Sequence, residues 1–250
     1  MSSMPNAASG RRPRLNVAYG SWDLIWSHVH RVLVVNLGLA AANLPLFAAL
    51  QATQQPWRHP FVFLLLSLSI GPSLAAAFAY LGRATEDDRA PVADYFRAYR
   101  RLFPRAMAMW APFAVLAGAA AADAVLLRNT AVGLALVPAL AVLALVAGNA
   151  GVVAMAHLAG DDSVRVGWRS ALAALYALTR RWGLALMNLG LLALAVVLVN
   201  QGPLMGLAVL PGCVLFVVWR NTGAMLDAVL PGSRGSEPDT DRPGTPARET

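Results

Sequence analysis

The chain contains no lysine; all 20 of its basic residues are arginine. It has one cysteine, Cys213, and only 13% charged residues, about half of the roughly 25% usual in a soluble domain. A single cysteine excludes an internal disulfide and any cysteine-rich metal centre. The scarcity of charge goes with 58% hydrophobic residues and a mean hydropathy of +0.55. That combination excludes a soluble globular enzyme, a disordered chain and a disulfide scaffold, and it points to a polytopic membrane protein. The net charge of +7 would ordinarily raise nucleic-acid binding, so the placement of the arginines has to decide.

A bilayer core needs about 20 apolar residues per helix, and six stretches qualify: Val32–Leu50, Phe61–Gly82, Ala106–Leu127, Ala131–Ala159, Leu184–Val199 and Leu204–Val218. The second is interrupted by Gly71-Pro72. The last two are separated only by Asn200-Gln201-Gly202-Pro203, which predicts a helical hairpin or, alternatively, a re-entrant pair. Residues 1–15 are polar, and the first apolar run is longer than a signal-peptide core, so it reads as a retained span. The tail 231–250 is rich in Pro, Gly and Ser and reads as disordered. The membrane domain is expected over residues 16–230.

Three connections between spans are short and carry only Arg58 and Arg128; the other 18 arginines fall on the opposite side. The positive-inside rule puts those 18 in the cytoplasm, with both termini. Topology then accounts for the charge, and no nucleic-acid partner is expected.

The arginine-rich connections are periodic. Val92, Tyr95, Phe96, Tyr99, Leu102 and Phe103 recur at helical spacing, with Asp94, Arg97, Arg100 and Arg101 opposite. A second amphipathic helix is expected from Ser163 to Trp182. Its apolar face is Val164, Trp168, Ala171, Leu172, Leu175, Thr179 and Trp182, with Arg165 and Arg169 facing away. Asp161-Asp162-Ser163 supplies its N-cap. A third precedes the first span, with Trp22, Ile25, Trp26 and Val29 as its stripe. Basic, aromatic helices of this kind lie in the membrane interface, against anionic headgroups, or pack on the ends of a bundle. Each ends in a basic corner, His30-Arg31, Arg100-Arg101 or Arg180-Arg181, and each is followed by two spans. The chain therefore reads either as three repeated helix-plus-hairpin units or as arginine set at those corners by the positive-inside rule alone. The expected fold is all-α: a six-helix transmembrane bundle with cytoplasmic amphipathic interfacial helices.

The segment from Ser67 to Tyr80, Ser-Leu-Ser-Ile-Gly-Pro-Ser-Leu-Ala-Ala-Ala-Phe-Ala-Tyr, is followed by Asp94-Tyr-Phe-Arg-Ala-Tyr-Arg-Arg101 and then Trp110. This text resembles the YesL-like family of bacterial membrane proteins, with Ser69 where that family usually has threonine. The resemblance covers about residues 20 to 225 and is concentrated between Ile70 and Trp110. It implies an accessory role in carbohydrate handling, with sugar-transporter subunits as partners, and it carries over no catalytic residue. The alternative expectation is a small-solute transporter or channel subunit.

Candidate hinge or ligand-binding residues are few. Pro72 after Gly71 removes a helix hydrogen bond in mid-span, and Ser67, Ser69 and Ser73 are at hand to satisfy the freed groups. This is either a hinge or unwound binding turn, as in transporters, or a static kink. Asp123 is an acid within a span, which marks a functional candidate by default; snorkelling or pairing with Arg128 would also suffice. Asn36, Asn43, Asn149 and Asn188 could line a polar pocket or bond between helices. Ala114, Gly118, Ala147 and Gly151 are close-packing signals. The four histidines have no metal-ligand spacing, and no phosphate-loop or zinc-protease motif is present. No enzyme activity, metal or cofactor is expected.

Overall fold

The computed structural model describes residues 17–53, 55, 58–83, 92–160, 167–201 and 203–227. Among these residues the protein is all-helical, without a strand. The helices are α1 (Val17–Ala42), α2 (Leu44–Ala52), α3 (Pro60–Ser67), α4 (Ile70–Arg83), α5 (Val92–Leu127), α6 (Gly133–Gly160), α7 (Trp168–Arg180), α8 (Trp182–Gln201) and α9 (Pro203–Asp227). Three helical stretches among the described residues, 60–83, 92–127 and 133–160, are long and apolar enough to cross a membrane; counting the bent pair α1–α2 as one makes four. The segments 1–15 and 231–250, Arg165 and the Asp161-Asp162-Ser163 cap lie outside the described residues.

Two of the expected interfacial helices are not separate elements. The stripe from Val92 to Phe103 opens α5 and runs unbroken into the span expected from Ala106. At about 1.5 Å per residue α5 is about 54 Å long, well beyond a hydrocarbon core of about 30 Å. The helix preceding the first span is likewise continuous with it in α1. Only the one expected from Ser163 to Trp182 is distinct: α7 stops at Arg180, and Arg181 leaves helical geometry at φ −125°, ψ 54° before Trp182 starts α8. The basic corner is thus a helix boundary in one of three places, which a simple threefold repeat does not reproduce.

The core is α4. Every residue from Gly71 to Leu81 is buried, and α1, α5, α6 and α9 all pack on it. Its small Ala75, Ala76 and Ala77 let neighbouring backbones come close. Burial elsewhere runs opposite to that of a soluble protein. Val132, Leu134, Leu136, Val142, Leu143, Leu145 and Val146, at and along the first half of α6, are exposed, as are Phe61, Val62 and Leu65 of α3. In its second half α6 is buried on all sides from Asn149 to Ala156. An apolar surface that broad is stable only against lipid or another apolar partner.

Trp110 fixes the contact of α4, α5 and α6. A side chain at Gly71 would collide with its Cβ and ring, and one at Gly151 would lie 2.6 Å from its Cζ3. The indole sits between two glycines on opposite helices, with its Nε1–H donating to the Ser67 carbonyl at 3.2 Å. Gly118 similarly admits Leu64 of α3.

Because the indole is held on both sides, it has no room to yield. Gly151→Ala is expected to cost about 1–3 kcal/mol, measured as a lower unfolding midpoint in detergent. In a Trp110→Ala background most of that cost should vanish, since the colliding ring is gone.

Candidate functional site

Two helix breaks meet near the centre of the bundle, and each is placed by a proline. Pro72 lacks an N–H, and its ring crowds the carbonyl four residues earlier, that of Leu68; the chain breaks there, between α3 and α4. Pro45 acts in the same way on Ala41, and α1 ends at Ala42. The chain turns by 63° between α1 and α2. Asn43 occupies the corner at φ −107°, ψ 15°, the sparsely populated bridge region where turn residues sit. Pro104, Pro112, Pro138 and Pro211 lie inside unbroken helices. What the two broken sites have in addition is polar side chains that bond across from one break to the other.

Those side chains bond to one another. Asn43 Nδ2 donates to Ser73 Oγ at 2.9 Å and to the Leu39 carbonyl at 3.0 Å. Asn43 Oδ1 accepts from Ser69 Oγ at 2.8 Å. Ser67 and Ser73 donate to the carbonyls three residues back, those of Leu64 and Ile70, a local bond that competes with the helix ladder; the Ser69 hydroxyl, with one hydrogen, lies 2.8 Å from both Asn43 Oδ1 and the Leu66 carbonyl and donates to one at a time. Tyr95 Oη donates to the Ser73 carbonyl at 3.2 Å, and Tyr95 is wholly buried, its ring lying where a side chain on Gly38 would go. The Trp110 indole donates to Ser67 at the end of α3, where the helix's own ladder stops. Both amide hydrogens of Asn43 are used, so this seam is a closed stitch between two broken helices.

Asn36 does not join it. Its Oδ1 accepts the Gly212 N–H at 2.6 Å, tying α1 to α9 across most of the chain. Gly212 is required there, because a side chain would lie 2.8 Å from the Val32 carbonyl.

Asn149 and Asn188 form part of a second seam, between α6, α8 and α9. Asn149 Nδ2 donates to the Ala185 carbonyl at 2.9 Å, and Asn221 Nδ2 donates to Asn188 Oδ1 at 2.8 Å. Thr222 is wholly buried beside Asn221. Asn149 Oδ1, Asn188 Nδ2 and Thr222 Oγ1 are buried without a hydrogen-bond partner. Sequence reasoning misses Asn221 and Thr222 because they follow Arg220, where charge suggests that the span has ended.

The nine candidate residues thus divide. Asn43, Ser69, Gly71, Pro72 and Ser73 come together; Asn149 and Asn188 converge elsewhere; Asn36 pins α9. Asp123 is exposed near the end of α5 and joins neither seam. Arg97, Arg100, Arg101, Arg169, Arg180 and Arg181 are all exposed. Arg97 pairs with Asp94 at 2.5 Å, and Arg180 donates to Tyr176 Oη at 3.3 Å. Helix α7 buries a different face from the one read from its sequence, of which Trp168, Leu172, Thr179 and Trp182 are exposed and Ala171 and Leu175 half-buried. Ala174, Ala177 and Leu178 are buried against the bundle, while Trp168, Leu172 and Tyr176 are exposed, as is Trp182 just beyond it. No group of three His, Cys, Asp or Glu able to hold a metal occurs among the described residues.

No family model, curated protein or solved structure matches the chain. Nothing in these comparisons identifies a YesL-like family.

If the first seam holds the two breaks together, Asn43→Ala and Ser73→Ala should not act independently. A double-mutant cycle read by unfolding in mixed micelles is expected to return a coupling of about 0.6–1.7 kcal/mol. Simple additivity would show that the bond does no stitching.

Proposed function

We propose that this chain is a membrane-embedded accessory protein that assembles with a transporter and performs no chemistry of its own. The observation that carries this reading is the division of α7. One face is committed to the bundle, and a second, bearing Trp168, Leu172 and Tyr176, stays exposed beside Arg169, Arg180 and Arg181. Aromatic residues flanked by arginine favour the membrane–water interface and anionic headgroups. The opening turns of α5 repeat the theme, with Phe96, Phe103, Arg97, Arg100 and Arg101 exposed. In this reading the arginine-rich side is cytoplasmic, in a bacterial plasma membrane, with both termini on it. The YesL-like resemblance suggests a carbohydrate-uptake system as the partner.

A second reading, a small-solute transporter, is favoured by one feature. Two broken helices meeting at polar side chains is the architecture that many transporters use for binding. Against it, the Asn43 seam is closed by its own bonds, and opening it would expose unpaired polar groups to an apolar interior.

Mild-detergent purification should retain transporter subunits, and the combined variant Trp168→Ala, Arg180→Gln, Arg181→Gln should lose them while keeping its own unfolding midpoint. Sugar uptake by the purified chain alone in proteoliposomes, abolished by Pro72→Ala, would replace this reading with the second. In a Cys213→Ser background, single cysteines at positions 97 and 169 should react only from the cytoplasmic side; labelling from outside would reverse the orientation.

A further inference from the structure

The second seam differs from the first in what it leaves open. Around Asn43 the amide hydrogens and the carbonyl oxygen all have protein partners. Between α6, α8 and α9 an acceptor, Asn149 Oδ1, a donor, Asn188 Nδ2, and a hydroxyl, Thr222 Oγ1, are all buried and unpartnered. Their residues are 4%, 0% and 0% exposed, so bulk solvent does not serve them.

The two asparagines belong together, and Thr222 follows Asn221, the partner of Asn188, in sequence. Asn149 is bonded to the Ala185 carbonyl, one turn along α8 from Asn188, so both asparagines address the same stretch of that helix. Asn188 is bonded in turn to Asn221, the residue before Thr222. Exchanging the oxygen and nitrogen of either Asn188 or Asn221 would not remove the deficit, because a flip changes which atom is orphaned and not how many are. Direct closure between Asn149 and Asn188 is not made; a third body is needed to accept from one and donate to the other.

We propose that this seam binds one neutral molecule bearing a hydroxyl, either water or a small alcohol-type solute. A hydroxyl oxygen can accept from Asn188 Nδ2 while its hydrogen goes to Asn149 Oδ1, and Thr222 Oγ1 can take either role. An ion is disfavoured, because the four polar side chains of the seam are uncharged and a bare charge there would lose its hydration without compensation. Asn188 lies in the second turn of α8 and Thr222 near the end of α9, so the site lies toward the ends of those helices that carry Arg180, Arg181 and Arg220. The proposal is independent of the accessory reading: it needs no partner protein.

A lipidic-phase crystal structure of the full chain, purified without polyols, is expected to show density within hydrogen-bond distance of Asn149 Oδ1 and Asn188 Nδ2. A single compact peak identifies water. An elongated peak, with a hydroxylated solute recovered by mass spectrometry after denaturation, identifies a bound solute. Either supports the site. Asn149→Leu and Asn188→Leu should each lower the unfolding midpoint by about 2–4 °C, the shift expected for one lost hydrogen bond in a chain of this size. Empty density at those two atoms, or leucine variants at or above the wild-type midpoint, would overturn the proposal.

Discussion

In an interior this apolar, a backbone carbonyl released from its helix has no water to turn to, and a protein donor must be brought to it. The Trp110 indole does this for Ser67 at the end of α3. The indole reaches that carbonyl only because Gly71 and Gly151 leave room for it on either side. The contact therefore ties together the proline-induced break, the approach of α5 to α4, and the close packing of α6. The Asn43–Ser69–Ser73 bonds tie the corner between α1 and α2 to the break between α3 and α4. The two breaks are stable as a pair, each supplying what the other lacks.

Around this stitched centre, burial is arranged for an apolar exterior. Small residues fill the middle of α4, while leucine and valine cover the outside of α6 and α3. Among the described residues charge is sparse and gathers in stretches such as the opening of α5 and in α7. That helix shows how one amphipathic sequence serves two surroundings at once. Its alanines admit close contact with the bundle, and its tryptophan and tyrosine face outward with the arginines. A helix that packed by its aromatic residues would have no amphipathic edge left to present to headgroups or to a partner.

Much of the fold is legible in the residues alone. Apolar run length locates the spans found in α3–α4, α5 and α6, and Pro72 with its serines marks a break. Pro45 carries the same signal less visibly, because it lies inside an apolar run with no glycine beside it. The separate interfacial helices expected before Arg31 and Arg101 are continuous with the spans that follow. Amphipathic periodicity reports which face a residue takes, and it is silent on whether a helix ends, which depends on a local breaker. At Arg181 the helix does end, and Gly183 stands just beyond.

The sequence by itself determined the all-helical class, the apolar exterior and one of the two breaks. Each of these follows from composition, run length or the missing N–H of proline, which act locally. Only the tertiary structure decided which asparagine serves which purpose. Asn43 closes a network, Asn36 takes the N–H of Gly212 from the far end of the chain, and Asn149 and Asn188 are left with unmet valences beside Thr222. A hydrogen bond depends on direction and on distances of about 3 Å. Four identical side chains on apolar helices acquire different roles only when packing sets what stands opposite each of them.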